Sequence, residues 1–206
     1  MSHLTDLLKQ RRSIRKYQPQ PVPAEIIREL LETAAYAPSA HNAQPWRFVV
    51  LTESEQKNAL ADAMAQVWLA ELERDHIPKN TRLATVNCSV ERFTAAPVLI
   101  LACVTLEDMD TYPDVERQNS ERDLAVQSLG AAIQTLLLAA HSNGLGACWY
   151  CAPIFCKTAV RQALEIPDEV EPQALITVGY PDETPKTPER PPLETYVYLD
   201  KWGNPL

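Results

Sequence analysis

Residues 129–140 read Leu-Gly-Ala-Ala-Ile-Gln-Thr-Leu-Leu-Leu-Ala-Ala, with Gln134 and Thr135 as the only polar interruptions. At helical spacing this leaves almost no polar face, and a helix that is apolar all round must be covered on every side. The run falls short of the ~20 apolar residues of a bilayer span. It therefore predicts a core helix rather than an anchor, the second half of a long helix over residues 119–142. A chain of 206 residues suffices for one domain with a substantial core, but it has few elements with which to wrap a central helix completely. The helix thus points to a dimer that shares its core, with Gly130, Ala131 and Ala132 small enough for close helix approach. The alternative is a central helix wrapped wholly by its own domain.

Around that helix, helical and extended patterns alternate. Ser2 is a candidate N-cap for a first helix with Leu4, Leu7 and Leu8 on one face. Pro19, Pro21 and Pro23 keep the next segment extended until Pro23 enters the first turn of a second helix, carrying Ile26, Ile27, Leu30, Leu31 and Ala34 and ended by Pro38. Strands are predicted over residues 47–52, 97–104, 146–151 and 173–180, the second continuously apolar and so buried on both faces. Further helices are predicted over residues 54–75, an outer helix or lid, and over 82–94 and 156–164. Asn143-Gly144 reads as a helix C-cap. Over residues 181–192 proline and charge dominate, making an extended arm without a core of its own. Residues 195–199 alternate like a strand that would add to a sheet edge.

The formal net charge is -8 and the pI about 5.0. Against that balance, Lys9, Arg11, Arg12, Arg15 and Lys16 fall within one short stretch that has no carboxylate. Forked guanidinium donors with the Ser13 hydroxyl are the set that holds a phosphate monoester; the plainer reading is a solvated basic turn at a helix end. One basic cluster suits one small anion, not the broad positive face that nucleic acid needs. The N-terminus lacks a basic region followed by an apolar core, so no signal peptide is expected. Five cysteines, an odd count, then suggest reduced thiols in a cytoplasm.

Cys148-x-x-Cys151, with Cys156 nearby, raises zinc or redox chemistry. Zinc wants a fourth ligand for which no motif spacing exists. A redox pair wants a helix N-terminus, and strand residues three apart face opposite sides. Buried free thiols are expected instead, and no metal. Gly144-Leu145-Gly146 does not complete a G-x-G-x-x-G, which argues against a Rossmann fold.

A second stretch, Ala37-Pro38-Ser39-Ala40-His41-Asn42-Ala43-Gln44-Pro45-Trp46-Arg47-Phe48, joins Arg11-x-Ser13-x-Arg15. The pair resembles the nitroreductase family of FMN-dependent oxidoreductases, which opens with an Arg-x-Ser-x-Arg-type motif and follows it with Pro-Ser-x-x-Asn-x-Gln-Pro-Trp. The resemblance runs on towards the C-terminus. It implies a single α+β domain over residues 1–206 with a central mixed or antiparallel sheet flanked by helices and a long buried central helix. It also implies a C-terminal arm, residues 181–206, exchanged in a homodimer.

By the same resemblance, FMN is the bound cofactor. Arg11 and Ser13 would hold it, Arg12 would lie close to its phosphate, and Arg15 would face the pyrimidine edge of the ring, where a fixed guanidinium favours the anionic reduced form. Pro38, Ser39, Asn42 and Gln44 would reach the flavin from the other subunit, their amides able to donate and accept. Pro153 and Ile154 would set backbone beside the hydride-exchanging N5. Arg190, in Arg190-Pro191-Pro192-Leu193-Glu194, would reach the phosphate; Pro188 stands where the family has a second basic residue, with Lys186 a possible substitute. Arg92 is a further candidate contact. Trp46 is expected in the core and His41 as an exposed loop residue.

A flavin carries hydride without a catalytic side chain. NADH or NADPH would dock transiently and be replaced by a nitroaromatic, quinone or related conjugated small molecule in a ping-pong cycle. Within the family, Thr111-Tyr112-Pro113-Asp114, Asn119, Gly144-Leu145-Gly146-Ala147-Cys148-Trp149 and Ile154-Phe155 resemble the FMN-binding reductase domain of deazaflavin-coenzyme biosynthesis. The ligase domain often fused ahead of it has no counterpart in this sequence. A reductase of that biosynthesis and a non-catalytic flavin- or anion-binding module are the alternatives.

Overall fold

The structure, a computed structural model, describes residues 3–206, so the predicted cap Ser2 lies outside the described residues. Helix α1 spans His3–Gln10 and α2 Ala24–Ala34; strand β1 (Trp46–Leu51) follows, then α3 (Ser54–Arg74) and α4 (Lys79–Thr94). Strand β2 is Val98–Val104, α5 is Val115–Ser142, β3 is Gly146–Tyr150, α6 is Lys157–Leu164 and β4 is Glu171–Gly179. The strands form one sheet in the order β1-β2-β4-β3, with every neighbouring pair antiparallel. The expected "mixed or antiparallel" sheet is therefore antiparallel, and among the described residues the one parallel pairing is an isolated bridge between Ser13 and Ala147.

The period of two along β2 explains its unbroken apolar run. Val98, Ile100, Ala102 and Val104 pack with α2 and α5 on one face, while Leu99, Leu101 and Cys103 pack with α3 and α6 on the other. Strand β4 repeats the division, with Ala174, Ile176 and Val178 against α5 and Leu175 opposite. Two cores thus sandwich the sheet. Buried Lys57 of α3 ties one of them down, its ammonium donating to the Ala96 carbonyl at 2.8 Å just beyond the C-terminus of α4, where that carbonyl would otherwise lack a partner.

Helix α5 is the element predicted from residues 129–140, starting earlier than expected because Asp114 caps it, Oδ1 accepting from the Arg117 amide at 2.9 Å. By length and mean hydropathy, 1.4 over its most apolar window, it could cross a membrane, yet half of that window is buried inside the fold. Leu129, Ala132, Ile133, Leu136 and Ala140 are fully buried. Along the opposite stripe, at steps of three and four, Leu124 and Gln127 are exposed and Ala131, Thr135 and Leu138 are only partly buried by their own chain.

Other differences from expectation are local. Pro23 stands one residue before α2, at its cap, with its carbonyl accepting from the Ile26 and Ile27 amides. Residues 195–199 form no strand: a 3-10 turn, Leu193–Thr195, precedes a bridge between Tyr198 and Pro205, and Trp202 stacks 4.6 Å from Tyr198. Alternation alone makes no strand when no sheet edge is within reach, and this tail folds locally. Cys148 and Cys156 are buried free thiols, but Cys151 is exposed, because β3 ends at Tyr150 and the chain turns outward.

Candidate functional site

The basic stretch leaves α1 and runs along the open edge of β3, where the Ile14 amide donates to the Ala147 carbonyl at 3.1 Å. Gly146 permits this approach, since a Cβ there would meet the Ile14 side chain at 2.6 Å. Tyr17 anchors the far end. Its buried hydroxyl lies 2.5 Å from the Ile14 carbonyl and 2.6 Å from Thr177 Oγ1, and burial raises its pKa. Arg11 and Arg12 then face a cleft of about 430 Å³ with His141 of α5, Gly144 and the start of the arm through Thr187.

Within that cleft Arg12 donates to Thr187 Oγ1 at 2.5 Å and to the carbonyls of Lys9 and Arg11. The His141 pKa is lowered, first by burial and then by the charges of Arg11 and Arg12. The segment already holds one anion: Glu183 of the arm accepts from the backbone amides of Arg15 and Lys16 at 2.5 and 3.1 Å. The Arg11 and Arg12 guanidinium forks and the Thr187 hydroxyl fit a phosphate monoester, with the Glu183 carboxylate in the same wall; Ser13, bridged to Ala147, does not line this cleft. Arg15 is exposed, two residues past the Ser13–Ala147 bridge and so towards Trp149.

At the other end of β3 lies a second cleft, about 600 Å³, bounded by α3, α4 and the 3-10 turn Ala152–Phe155. Aromatic side chains Trp68, Phe93, Trp149, Tyr150 and Phe155 form much of its wall. Arg92 stands 5.8 Å above the Tyr150 ring and is the cation of this cleft. Burial, then neighbouring Cys148, raise the Tyr150 pKa, so its hydroxyl stays a donor, and it has no hydrogen-bond partner among the described residues. Pro153 is buried in the turn and Ile154 is exposed on it. From Ala147 to Cys151 the strand rise amounts to roughly 13 Å, so the anion cleft and the aromatic cleft share one strand edge.

The loop over residues 38–44 carries the second motif and is strained. His41, Asn42 and Gln44 have φ of 55°, 54° and 48°, a left-handed region that costs non-glycine residues about 1–3 kcal/mol each. Ser39 Oγ holds the loop by accepting from the Gln44 amide at 3.1 Å, and the Ala40 amide donates to Ser128 Oγ of α5 at 3.1 Å. Pro38, Asn42 and Gln44 are exposed, and Trp46 is buried as expected.

One chain does not bring the two motifs together. The loop docks at Ser128, whereas the Arg11–Arg12 cleft meets α5 at Leu137 and His141. Nine residues of helix separate Ser128 from Leu137, roughly 14 Å of rise. Arg190 lies in the exposed tail without a hydrogen-bond partner among the described residues, and the cleft wall reaches only Thr187. Sequence reasoning did not single out His141, Thr187, Glu183 or Tyr17. His141 and Thr187 reach the cleft from a helix end and an arm far along the chain, and no spacing in the sequence announces them.

Comparison with known proteins agrees with this geometry. The family model described as "Nitroreductase family" matches residues 8–180. The Bacillus subtilis (strain 168) protein YfhC, provisionally named an NAD(P)H nitroreductase, is 33% identical over 192 residues, covering 93% of this chain and 91% of that protein. Among solved structures, a BluB-like flavoprotein from Clostridium difficile 630 superposes with a TM-score of 0.80 at 27% identity, covering 98% of this chain and all of that one (100%). A nitroreductase-type protein from Desulfovibrio desulfuricans, solved in complex with FMN, gives a TM-score of 0.73 at 27% identity, covering 98% and 99% of the two chains. With the family model spanning most of the chain and both motifs in place, this protein belongs to the nitroreductase family.

Proposed function

We propose that the protein is an FMN-dependent oxidoreductase that takes hydride from NADH or NADPH and reduces a nitroaromatic, quinone or related conjugated small molecule. Bound FMN would supply the redox chemistry, alternating between the two partners in a ping-pong cycle. The chain's own residues bind and orient it: Arg11, Arg12 and Thr187 hold the phosphate, and the β3 edge guides the ring towards Pro153, Ile154 and Arg92. Arg15, further along the same segment, supplies positive charge on the ring side. The exposed tail supports a role for Arg190 in a partner chain's site.

The observation that carries this reading is the separation of the two motifs along α5. None of the 38–44 loop residues lines the Arg11–Arg12 cleft of its own chain. A homodimer, in which each loop completes the other chain's flavin cleft, uses both motifs. The exposed and partly buried stripe of α5 and the exposed Leu4, Leu8, Tyr196 and Trp202 support the same assembly. We read the site as that of a cytoplasmic enzyme without nucleic-acid or membrane partners. The test is anaerobic addition of NADH or NADPH to the purified yellow protein. Loss of the flavin's visible absorbance, restored by a quinone, is expected; FMN that binds and is reduced by neither nicotinamide overturns the enzymatic reading.

A further inference from the structure

His41, expected as an exposed loop residue, does not stand alone. Its Nε2 lies 3.5 Å from Glu121 Oε2 and 4.0 Å from Asp110 Oδ2, and one donor atom from each residue lies within 4.8 Å of the others. Glu121 is the informative member. Its side chain is 6% exposed, yet Oε2 has no hydrogen-bond partner among the described residues and is directed at the imidazole. A buried carboxylate oxygen without a donor is costly, and the site retains it.

Local charge does not settle this demand. The arginines of the same helix are engaged elsewhere, Arg117 with Asp114 and Arg122 with Glu171. One imidazole can balance at most one of the two carboxylates facing it. The separations are long for hydrogen bonds, but donors about 2.0–2.2 Å from a tetrahedral ion stand about 3.4 Å apart. The mouth is open to solvent, with the His41 and Asp110 side chains 44% and 60% exposed.

We propose that His41, Asp110 and Glu121 form a binding site for a first-row divalent cation, with one nitrogen and two carboxylate ligands and at least one position left to water. The mixed N/O set suits Zn²⁺ or Mn²⁺ over the thiolate-preferring ions. Because His41 belongs to the strained loop over residues 38–44, the cation ties that loop to α5 and to the segment before it. The ligands come from three separate parts of the chain, so no spacing in the sequence revealed them. None of its ligands lines the phosphate or ring clefts, but His41 shares its loop with Asn42 and Gln44, so metal and flavin are read separately in the test.

The experiment equilibrates the full-length protein with Zn²⁺, removes free ion by dialysis, and measures metal and FMN per chain in the same samples. Glu121→Gln and Asp110→Asn are treated alongside, the second at an exposed position where folding is not at stake. One Zn²⁺ per wild-type chain, with affinity at least on the order of 10- to 100-fold weaker in both variants, is expected, since even an outer-shell change costs that much. Equal Zn²⁺ in wild type and Asp110→Asn, as the exposed thiols Cys88 and Cys151 could produce, overturns the proposal, and so does no retained Zn²⁺. Either result leaves the measured FMN content free to stand or fall separately.

Discussion

At the scale of single residues, two titrating groups report on the account. His141 sits beside Arg11 and Arg12 with its pKa held down by burial and by their charges. An anion in that cleft adds the opposite charge, so FMN or inorganic phosphate should raise the His141 pKa, as NMR titration of its ring protons would record. Arg11→Ala should weaken FMN binding about 10- to 100-fold, the loss of one charge-assisted contact, and remove most of that shift. Glu171 tests the fold instead. It accepts hydrogen bonds from Arg122, Lys157 and Gln173, and Arg122, then Lys157, lower its pKa to about 2 from 4.5 against the opposing effect of burial. Its ionised form is the one the fold prefers, so the stabilisation is whole above about pH 4.5 and drains away as pH falls towards 2. Glu171→Gln should cost about 1–3 kcal/mol near neutrality and flatten the stability curve across that acid window, measured by denaturant melts. Residue types were legible from sequence wherever one local pattern fixed them, as with Arg11, Ser13 and the residues of the 38–44 loop. The partners of those residues were not, because they arrive from helix ends and from the arm.

At the scale of elements, the decisive contact is between the basic stretch and β3. Gly146 leaves no room between the strand and Ile14, with a Cβ placed there 2.6 Å from the Ile14 side chain. Gly146→Ala should therefore push the stretch off the strand edge and lower stability by about 1–3 kcal/mol, the usual cost of overpacking. FMN affinity should fall with it, measured by fluorescence titration; unchanged affinity would mean that this stretch does not hold the cofactor. The long helix and the apolar strand could be read from the sequence because burial on all sides leaves an unbroken apolar run. The supposed strand at residues 195–199 could not be judged that way, since alternation says nothing about whether a sheet edge lies within reach. Cap positions moved by a residue or more for a similar reason: Asp114 starts α5 ahead of the point where apolar periodicity becomes visible.

At the scale of the whole molecule, the proposed function makes the chain one half of a homodimer. Its two sequence motifs meet different stretches of α5, one side of that helix is exposed or partly buried, and the tail after Thr187 is exposed along nearly its whole length. The apolar helix pointed in the sequence towards a shared core, and the fold leaves one stripe of it exposed or partly buried. Which residues would meet in the proposed dimer is not written in one chain's sequence. Sedimentation velocity of the FMN-loaded protein, followed both at the protein absorbance and at the flavin's visible band, tests this most directly. The account predicts one boundary in both channels at the size of a dimer, with one FMN per chain. Flavin travelling with a monomer, or a dimer that stays colourless in excess FMN, would contradict it.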